Sequence, residues 1–262
     1  MGRRGKGIGM ENGLSVKGLR KSFGDRAVLN GVDFSVGAGE LVVLLGANGS
    51  GKSTALRCVV GLAEADEGVV SVAGRELRGL TGAELARARR AAAMVFQQIH
   101  LVRRRNVIDN VCAGGLAGLP LSRSLTPALF PKDLRERAMA CLDRVGLADR
   151  AKDRAGSLSG GQQQRVAIAR ALCQGAKVLL ADEPVSALDP AAATQVMELL
   201  RELARNDGLA VAAVLHQPDL ARRHADRVLG LLHGEIRFST RGSDLSDVDI
   251  DALYAPDRAV AV

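Results

Sequence analysis

The sequence contains few aromatic residues and no tryptophan. Of its 262 residues, 2% are aromatic, whereas 47% are hydrophobic and 25% are charged. A chain with this balance can bury a sizeable core, and that core must be aliphatic. The shortage of aromatic rings also removes the side chains on which proteins stack the bases of single-stranded nucleic acid, so we expect no nucleic-acid partner.

The sequence also lacks any run of about 18 apolar residues, so it predicts no membrane-spanning helix and leaves any membrane role to a partner. Residues 1–13 are basic and glycine-rich without the apolar segment of a signal peptide, and we predict a disordered tail there. The four cysteines form no CxxC pair, which favours reduced thiols in the cytoplasm over a zinc site or a disulfide framework. A net charge of +7 favours anionic partners such as nucleotides or acidic lipids.

Three short apolar runs predict strands that are buried on both faces of a parallel sheet. They are Leu41–Leu45, Val178–Ala181 and Val211–Leu215. The residues that follow them are polar or glycine: Gly46, Asp182 with Glu183, and His216. Because ligands bind at the carboxyl ends of the strands in open α/β sheets, the three strand ends predict one shared site.

Other patterns organise the chain around this sheet. Segments 14–20 and 27–36 predict a small antiparallel β layer. Apolar residues recur at helical spacing through 190–205, and Asp189 can cap that helix. We predict a nucleotide-binding core over 14–98 and 158–254, an inserted helical subdomain over 99–157, and tails at 1–13 and 255–262.

The segment from Gly46 to Ser53 fits the pattern GxxxxGK[ST] and lies between a predicted strand and a helix. Its glycines let the backbone N–H groups wrap a phosphate, Lys52 can contact the β and γ phosphates of ATP, and the Ser53 hydroxyl can bind Mg²⁺. The predicted nucleotide-binding residues here are Gly46, Asn48, Gly49, Ser50, Gly51, Lys52, Ser53 and Thr54.

The run from Val178 to Glu183 supplies the complementary carboxylates. Asp182, at the end of a buried strand, can hold Mg²⁺ beside the phosphates. Glu183 can orient or deprotonate the attacking water. A hydrophobic run that ends in Asp-Glu is by itself weak evidence for a nucleotide site. In a chain that also contains a phosphate-binding loop, it is strong evidence for one.

The segment Leu158–Gln162 reads LSGGQ, and here the chain resembles the ATP-binding cassette (ABC) proteins. The helix that follows can offer its N-terminal N–H groups to an anion. The resemblance implies an α/β fold with a P-loop NTPase (RecA-like) core, an antiparallel β layer and an inserted α-helical subdomain. It also implies Mg²⁺-dependent ATP hydrolysis by a head-to-tail homodimer, in which the signature of one copy closes over the ATP of the other. The signature residues concerned are Ser159, Gly160, Gly161 and Gln162.

The resemblance assigns roles to four further positions. Gln97 resembles the glutamine that contacts Mg²⁺ and senses the membrane partner. His216 resembles the switch histidine that contacts the γ-phosphate. By this resemblance His216 is a catalytic residue, together with Lys52 and Glu183. Asp189 resembles a residue of the loop that crosses the dimer interface, although it can also act only as a helix cap. Phe23 lies where the family has an aromatic ring that stacks on adenine, and packing in a small core is the alternative.

The resemblance further implies permease subunits as partners, a solute-binding protein acting indirectly, and a peripheral position at the cytoplasmic face of the inner membrane. Within the family the chain is most similar to the ATPases of phosphonate importers, through Leu101–Gly118, Ser122–Ala151 and Val214–Leu231. Ile99-His100 departs from that group. Import of another cargo and a non-transport, membrane-regulating cassette remain alternatives. Arg103–Arg105 can contact a permease loop or acidic lipids, or can be a solvated loop.

Overall fold

The computed structural model of this protein describes residues 13–119 and 127–258. The predicted disordered tail at 1–13 therefore lies outside the described residues, except for Gly13. Within these two ranges, no helix is both long enough and apolar enough to cross a bilayer.

The described elements, in chain order, are as follows. The strands are β1 (Leu14–Phe23), β2 (Arg26–Val36), β3 (Leu41–Leu45), β4 (Glu67–Val72), β5 (Arg75–Glu76), β6 (Ala92–Val95), β7 (Val178–Asp182), β8 (Ala210–Val214), β9 (Arg227–Leu232) and β10 (Glu235–Arg241). The helices are α1 (Lys52–Val59), α2 (Gly82–Arg90), α3 (Val107–Cys112), α4 (Lys132–Arg144), α5 (Gly160–Cys173), α6 (Pro190–Asp207), α7 (Pro218–His224) and α8 (Asp247–Arg258).

A six-stranded sheet forms the centre of the fold, with the strand order β10-β9-β3-β8-β7-β6. All neighbouring strands are parallel except β9 and β10. The three predicted apolar strands are thus adjacent, as β3, β8 and β7. Their carboxyl ends lie at the same edge of the sheet, where the sequence predicts the site.

The central strand β3 is buried on both faces, as its unbroken apolar run predicts. Leu41, Val43 and Leu45 belong to the core beneath α6 and the helical subdomain. Val42 and Leu44 belong to a second core, which α1 shares with an antiparallel sheet of order β2-β1-β4-β5. The alternation of side chains along one strand therefore divides the apolar interior into two layers.

The helical subdomain is built from α3, α4 and α5, which pack against one another. Its apolar interior includes Val111, Leu134, Leu142 and Ile168, each with no exposed surface. These contacts attach α5, the helix that follows LSGGQ, to the subdomain rather than to the phosphate-binding loop.

Several boundaries differ from the predictions by one to a few residues: for example, β1 continues to Phe23, β7 to Asp182 and α6 to Asp207. Strand β8 covers Ala210–Val214, one residue earlier than the predicted apolar run. Leu215 is buried beyond the strand end, and its N–H still donates to the Leu44 carbonyl. Helix α8 continues to Arg258, beyond the boundary placed at residue 254.

Candidate functional site

The loop between β3 and α1 has a backbone that only glycine adopts readily. Gly46 and Gly51 have φ values of 155° and 106°. A Cβ atom on Gly46 would lie 2.1 Å from the Leu231 carbonyl oxygen, and one on Gly51 would lie 2.8 Å from the Val28 carbonyl oxygen. Both positions thus require glycine, and they give the loop the tight curvature that a phosphate-binding loop needs.

Lys52 begins α1 and is only 5% exposed. Its Nζ donates to the carbonyl oxygens of Gly46 at 2.7 Å and Ala47 at 2.8 Å, and to Ser50 Oγ at 3.4 Å. The ammonium group therefore lies inside the curve of the loop. A phosphate entering the curve would meet this charge together with the loop N–H groups.

Ser53 and Asp182 join α1 to the end of β7. Ser53 Oγ donates to Asp182 Oδ1 at 2.6 Å, and Asp182 is 3% exposed. Arg57 lies 3.8 Å from the other carboxylate oxygen. A hydroxyl and a buried carboxylate are the hard oxygen ligands that Mg²⁺ accepts, and one carboxylate plus phosphate oxygens is its usual environment in nucleotide sites. The described residues contain no cluster of three or more His, Cys, Asp or Glu side chains suited to a metal.

Glu183 lies between two side chains from the neighbouring strand ends. Its Oε1 is 2.6 Å from Nε2 of His216, which follows β8. Its Oε2 accepts from Nε2 of Gln97, which follows β6, at 2.8 Å. When the carboxylate is ionised it can only accept, and His216 Nε2–H is then the donor in this contact. The sheet order β8-β7-β6 thus gathers the three predicted side chains into one hydrogen-bonded group.

The backbone at Glu183 is left-handed, with φ at 50°. This conformation costs a non-glycine residue about 1 kcal/mol or more and is concentrated at functional sites. Ser186 supports the turn, because its hydroxyl donates to the Glu183 carbonyl at 3.2 Å.

Beside these groups is a cleft of about 300 Å³. Its lining combines the loop with the hairpin between β1 and β2: Phe23, Arg26, Val28, Asn48, Gly49, Gly51, Lys52, Ser53, Thr54, Glu183 and His216. Phe23 is 56% exposed, and Lys21 Nζ lies 5.2 Å from its ring centre. The alternative of Phe23 as a core residue is therefore wrong, and stacking on adenine stays a prediction.

Sequence reasoning missed Arg26 and Val28. Arg26 pairs with Phe23 across the hairpin turn, so the antiparallel register could have placed it beside the predicted adenine site. A Cβ atom on Gly49 would lie 3.5 Å from an Arg26 guanidinium nitrogen. Arg26 thus adds a positive charge at the mouth of the loop.

The LSGGQ segment forms the N-terminus of α5 but lines no part of this cleft. Ser159 Oγ accepts from the Gln162 N–H at 3.3 Å, and Gln162 Oε1 accepts from the Ser159 N–H at 3.0 Å. A Cβ atom on Gly160 would lie 3.3 Å from Leu188 Cδ2, and one on Gly161 would lie 3.0 Å from Ala192 Cβ. The two glycines therefore pack closely against Leu188 and the first turn of α6, and a single chain leaves the signature apart from its own loop.

Asp189 caps α6, as one of its two predicted roles requires. Its Oδ1 accepts from the Ala192 N–H at 2.9 Å, and Pro190 follows it at the first helical position. The role at a dimer interface stays a prediction.

Comparison with known proteins agrees with this geometry. The family model described as ABC transporter matches residues 29–186. The chain is 47% identical to the phosphonates import ATP-binding protein PhnC 2 of Pseudomonas savastanoi, over 95% of the chain and 91% of that protein. It is 43% identical to the hypophosphite import ATP-binding protein HtxD of Stutzerimonas stutzeri, over 92% of the chain and 70% of that protein.

Among solved structures, the chain is similar to a dimeric ATP-binding cassette in a post-hydrolysis state with ADP and Pi bound. The TM-score is 0.71 and the identity is 34%, over 87% of this chain and 98% of that one. Together with the loop, the carboxylate pair and the signature, these matches show that the chain belongs to the ABC transporter family.

Proposed function

We propose that the chain is the ATP-hydrolysing subunit of an importer for phosphonates or a related phosphorus oxyanion. The observation that carries the ATPase proposal is the group at the three strand ends, in which Gln97 and His216 hold the Glu183 carboxylate beside Lys52 and the Ser53–Asp182 pair. The names of the relatives support the cargo, since they describe phosphonate and hypophosphite import.

Nucleotide binding begins at the phosphate loop. The Lys52 ammonium would exchange the Gly46 and Ala47 carbonyls for β and γ phosphate oxygens, which requires little movement of a side chain already inside the loop. Adenine would stack on the exposed ring of Phe23. Mg²⁺, held by Ser53 and Asp182 with Gln97 nearby, would neutralise phosphate charge.

In hydrolysis, Glu183 orients a water molecule in line with the γ-phosphate and accepts its proton. His216 and Gln97 hold the two carboxylate oxygens, so the base is fixed before water arrives. Lys52 offsets the charge that develops on the phosphoryl oxygens. His216 also lines the cleft with Lys52, where it would contact the γ-phosphate.

The site is completed by a second copy of the chain. Ser159, Gly160, Gly161 and Gln162 lie outside the cleft of their own chain, and the N-terminus of α5 is suited to an anion. A two-fold arrangement would place each signature over the ATP of the other copy and create two equivalent sites. Asp189 lies on the neighbouring α6 cap and would cross the same interface.

Coupling to membrane permease subunits would use the surface after Gln97. Val102 is 60% exposed, and Arg103–Arg105 are all exposed beside it. An apolar side chain next to three cations suits a permease loop at the cytoplasmic face of the membrane, where the cassette would lie as a peripheral subunit. A solute-binding protein would act through the permease.

Growth of a deletion strain on single phosphorus sources tests this function. The sources are phosphate, phosphite, hypophosphite and an alkylphosphonate, and the gene is returned in intact form or as Lys52→Ala. We expect growth to fail on the phosphonate or on one of the reduced phosphorus compounds, and only the intact gene to restore it. If the deletion strain grows equally on every source, the result would favour another cargo or a membrane-regulating cassette without transport.

A further inference from the structure

The helix that follows the signature also holds the segment that contains Gln97. Arg170 and Gln174, the residue that directly follows the helix as its C-cap, donate from their side chains to backbone carbonyls on either side of that segment. Gln174 Nε2 donates to the carbonyls of Arg90 and Ala92 at 3.0 and 2.9 Å. Arg170 donates to the carbonyls of Ile99 and His100 at 2.9 and 3.1 Å.

The Arg170 contacts lie immediately after the catalytic group. Ile99 and His100 are two and three residues beyond Gln97, whose side chain donates to Glu183. His100 has a left-handed backbone with φ at 48°, and the guanidinium group spans the two carbonyls at this turn. The direction in which the chain leaves Gln97 therefore depends on Arg170.

The chemistry of Arg170 suits a rigid connection. Burial lowers the pKa of its guanidinium group, and the side chain is only partly exposed. Two nitrogens of a planar guanidinium fork contact two successive carbonyls, whereas lysine would present its donors from one nitrogen on a flexible stem, without the fixed planar geometry. Arg170 therefore holds the turn in position instead of only neutralising charge.

The other end of the same helix carries the signature. Helix α5 has 14 residues and begins directly after Ser159, so Arg170 lies about 16 Å along the axis from the signature. Movement of the N-terminus against a nucleotide would move the whole helix, because its apolar side chains are buried in the helical subdomain. Through Arg170, that movement reaches the residues next to Gln97.

We propose that Arg170 is a positioning residue that connects the two ATP sites of the homodimer. When Ser159 engages the ATP held by the second copy, α5 shifts and Arg170 sets Gln97 against Glu183 in its own site. This inference rests on the proposed ATPase function. It predicts cooperative hydrolysis, because each site is brought into position by engagement at the other.

The test compares full-length Arg170→Met and Arg170→Lys with Gln174→Met as the matched control. Gln174, the C-cap of the same helix, anchors the start of β6 through its bonds to the Arg90 and Ala92 carbonyls. For Arg170→Met, we expect a loss of cooperativity in ATP and a fall in kcat of roughly ten- to a hundredfold, since misplacement of a catalytic group by about 1 Å has effects of this order. ATP affinity of the monomer should stay within about twofold, because Arg170 is remote from the cleft lining.

The kcat and the cooperativity of Arg170→Lys should lie between those of the wild type and of Arg170→Met. Gln174→Met should keep wild-type kcat and cooperativity even if its melting temperature falls.

A second measurement follows the segment after Gln97 directly. Since the chain has no tryptophan, Val102→Trp gives a single fluorescent reporter on that segment. In the Glu183→Gln background, ATP should change its emission when Arg170 is present and not when Met replaces it.

Wild-type kcat and cooperativity in Arg170→Met would overturn the inference. A parallel loss of melting temperature, ATP affinity and kcat in both Arg170→Met and Gln174→Met would also overturn it, since it would show a structural brace only. Absence of ATP hydrolysis in the wild-type protein would overturn the proposed function itself, and this inference with it.

Discussion

The phosphate loop and the signature are both glycine-containing segments that lead into a helix, yet their N-termini differ in construction. Gly51, before α1, has no side-chain cap, and Lys52 fills the loop. Ser159, before α5, forms a complete capping box with Gln162. The first N-terminus is open towards a ligand in its own chain, whereas the second bonds two of its N–H groups, those of Ser159 and Gln162, within the motif.

This difference matches the proposed roles of the two motifs: the phosphate loop binds ATP within its own chain, whereas the signature contacts the ATP of a second copy. The loop curves around a phosphate, and its neighbours on β7 and β8 bring the catalytic carboxylate and histidine. The signature offers a capped helix end with small glycines and lines no part of the cleft of its own chain. Separate changes at the two motifs should therefore give separate defects.

The largest effect should come from Glu183→Gln. The amide can still accept from His216 but cannot remove a proton from water, so kcat should fall by roughly a thousandfold while ATP affinity is retained. Phosphate release measures kcat, and sedimentation with ATP should detect a trapped dimer. Turnover at the wild-type rate would remove Glu183 as the base.

Ser159→Arg should separate the two motifs most clearly. A bulky cation at the signature would block closure over the second copy, so hydrolysis should fall on the order of a hundredfold, as for loss of a transition-state contact group. ATP binding by the monomer should be unchanged. Ser157→Arg, which lies just before the signature and is also exposed, is the control. Equal dimerisation of Ser159→Arg and wild-type protein would contradict a trans role.

Phe23→Ala should weaken ATP binding by about tenfold, since stacking of a base on an aromatic ring contributes about 1–3 kcal/mol. The melting temperature should change little because the ring is 56% exposed. Inorganic triphosphate should bind both proteins equally, and Phe23→Tyr should bind ATP at least as well as wild type. A matching loss of triphosphate affinity would point to damage of the loop instead.

The smallest expected effects are those of substitutions at Asp189, and they distinguish its role as a helix cap from a role at the dimer interface. Asp189→Ala removes the α6 cap and should lower the free energy of unfolding by about 1 kcal/mol, whereas Asp189→Asn keeps a capping oxygen and should cost only a few tenths. Urea denaturation measures both. If Asp189→Asn nevertheless weakens ATP-dependent dimerisation, the carboxylate acts at the interface, and if it does not, the residue is a cap alone.

The strands and their site were predictable because both signals are local. Unbroken apolar runs mark β3 and β7, and the residues that follow them are the phosphate loop and the carboxylate pair. The grouping of Glu183 and His216 with the phosphate loop followed from the rule that parallel strands end at one edge, whereas Gln97 was assigned through the family resemblance. Resemblance to the family supplied the individual roles.

Contacts between segments distant in the chain were not predictable. The bonds from Arg170 to Ile99 and His100 span about 70 positions and depend on how α5 packs against the sheet. The left-handed backbone of Glu183 has no marker in its residue type, because glycine or asparagine is the usual occupant of that conformation. Apolarity alone also placed the end of β8 one residue late, since Leu215 is buried outside the strand.

The most direct test of the central claim, a site shared between two copies, uses two complementary variants in the Glu183→Gln background. Lys52→Ala disables the loop and keeps the signature, whereas Ser159→Arg keeps the loop and disables the signature. Neither should dimerise alone with ATP, but their mixture should form a dimer that traps a single ATP, as measured by sedimentation with labelled nucleotide. If the mixture stays monomeric while the parent Glu183→Gln protein dimerises, or if either variant dimerises alone, the claim of a shared site would be contradicted.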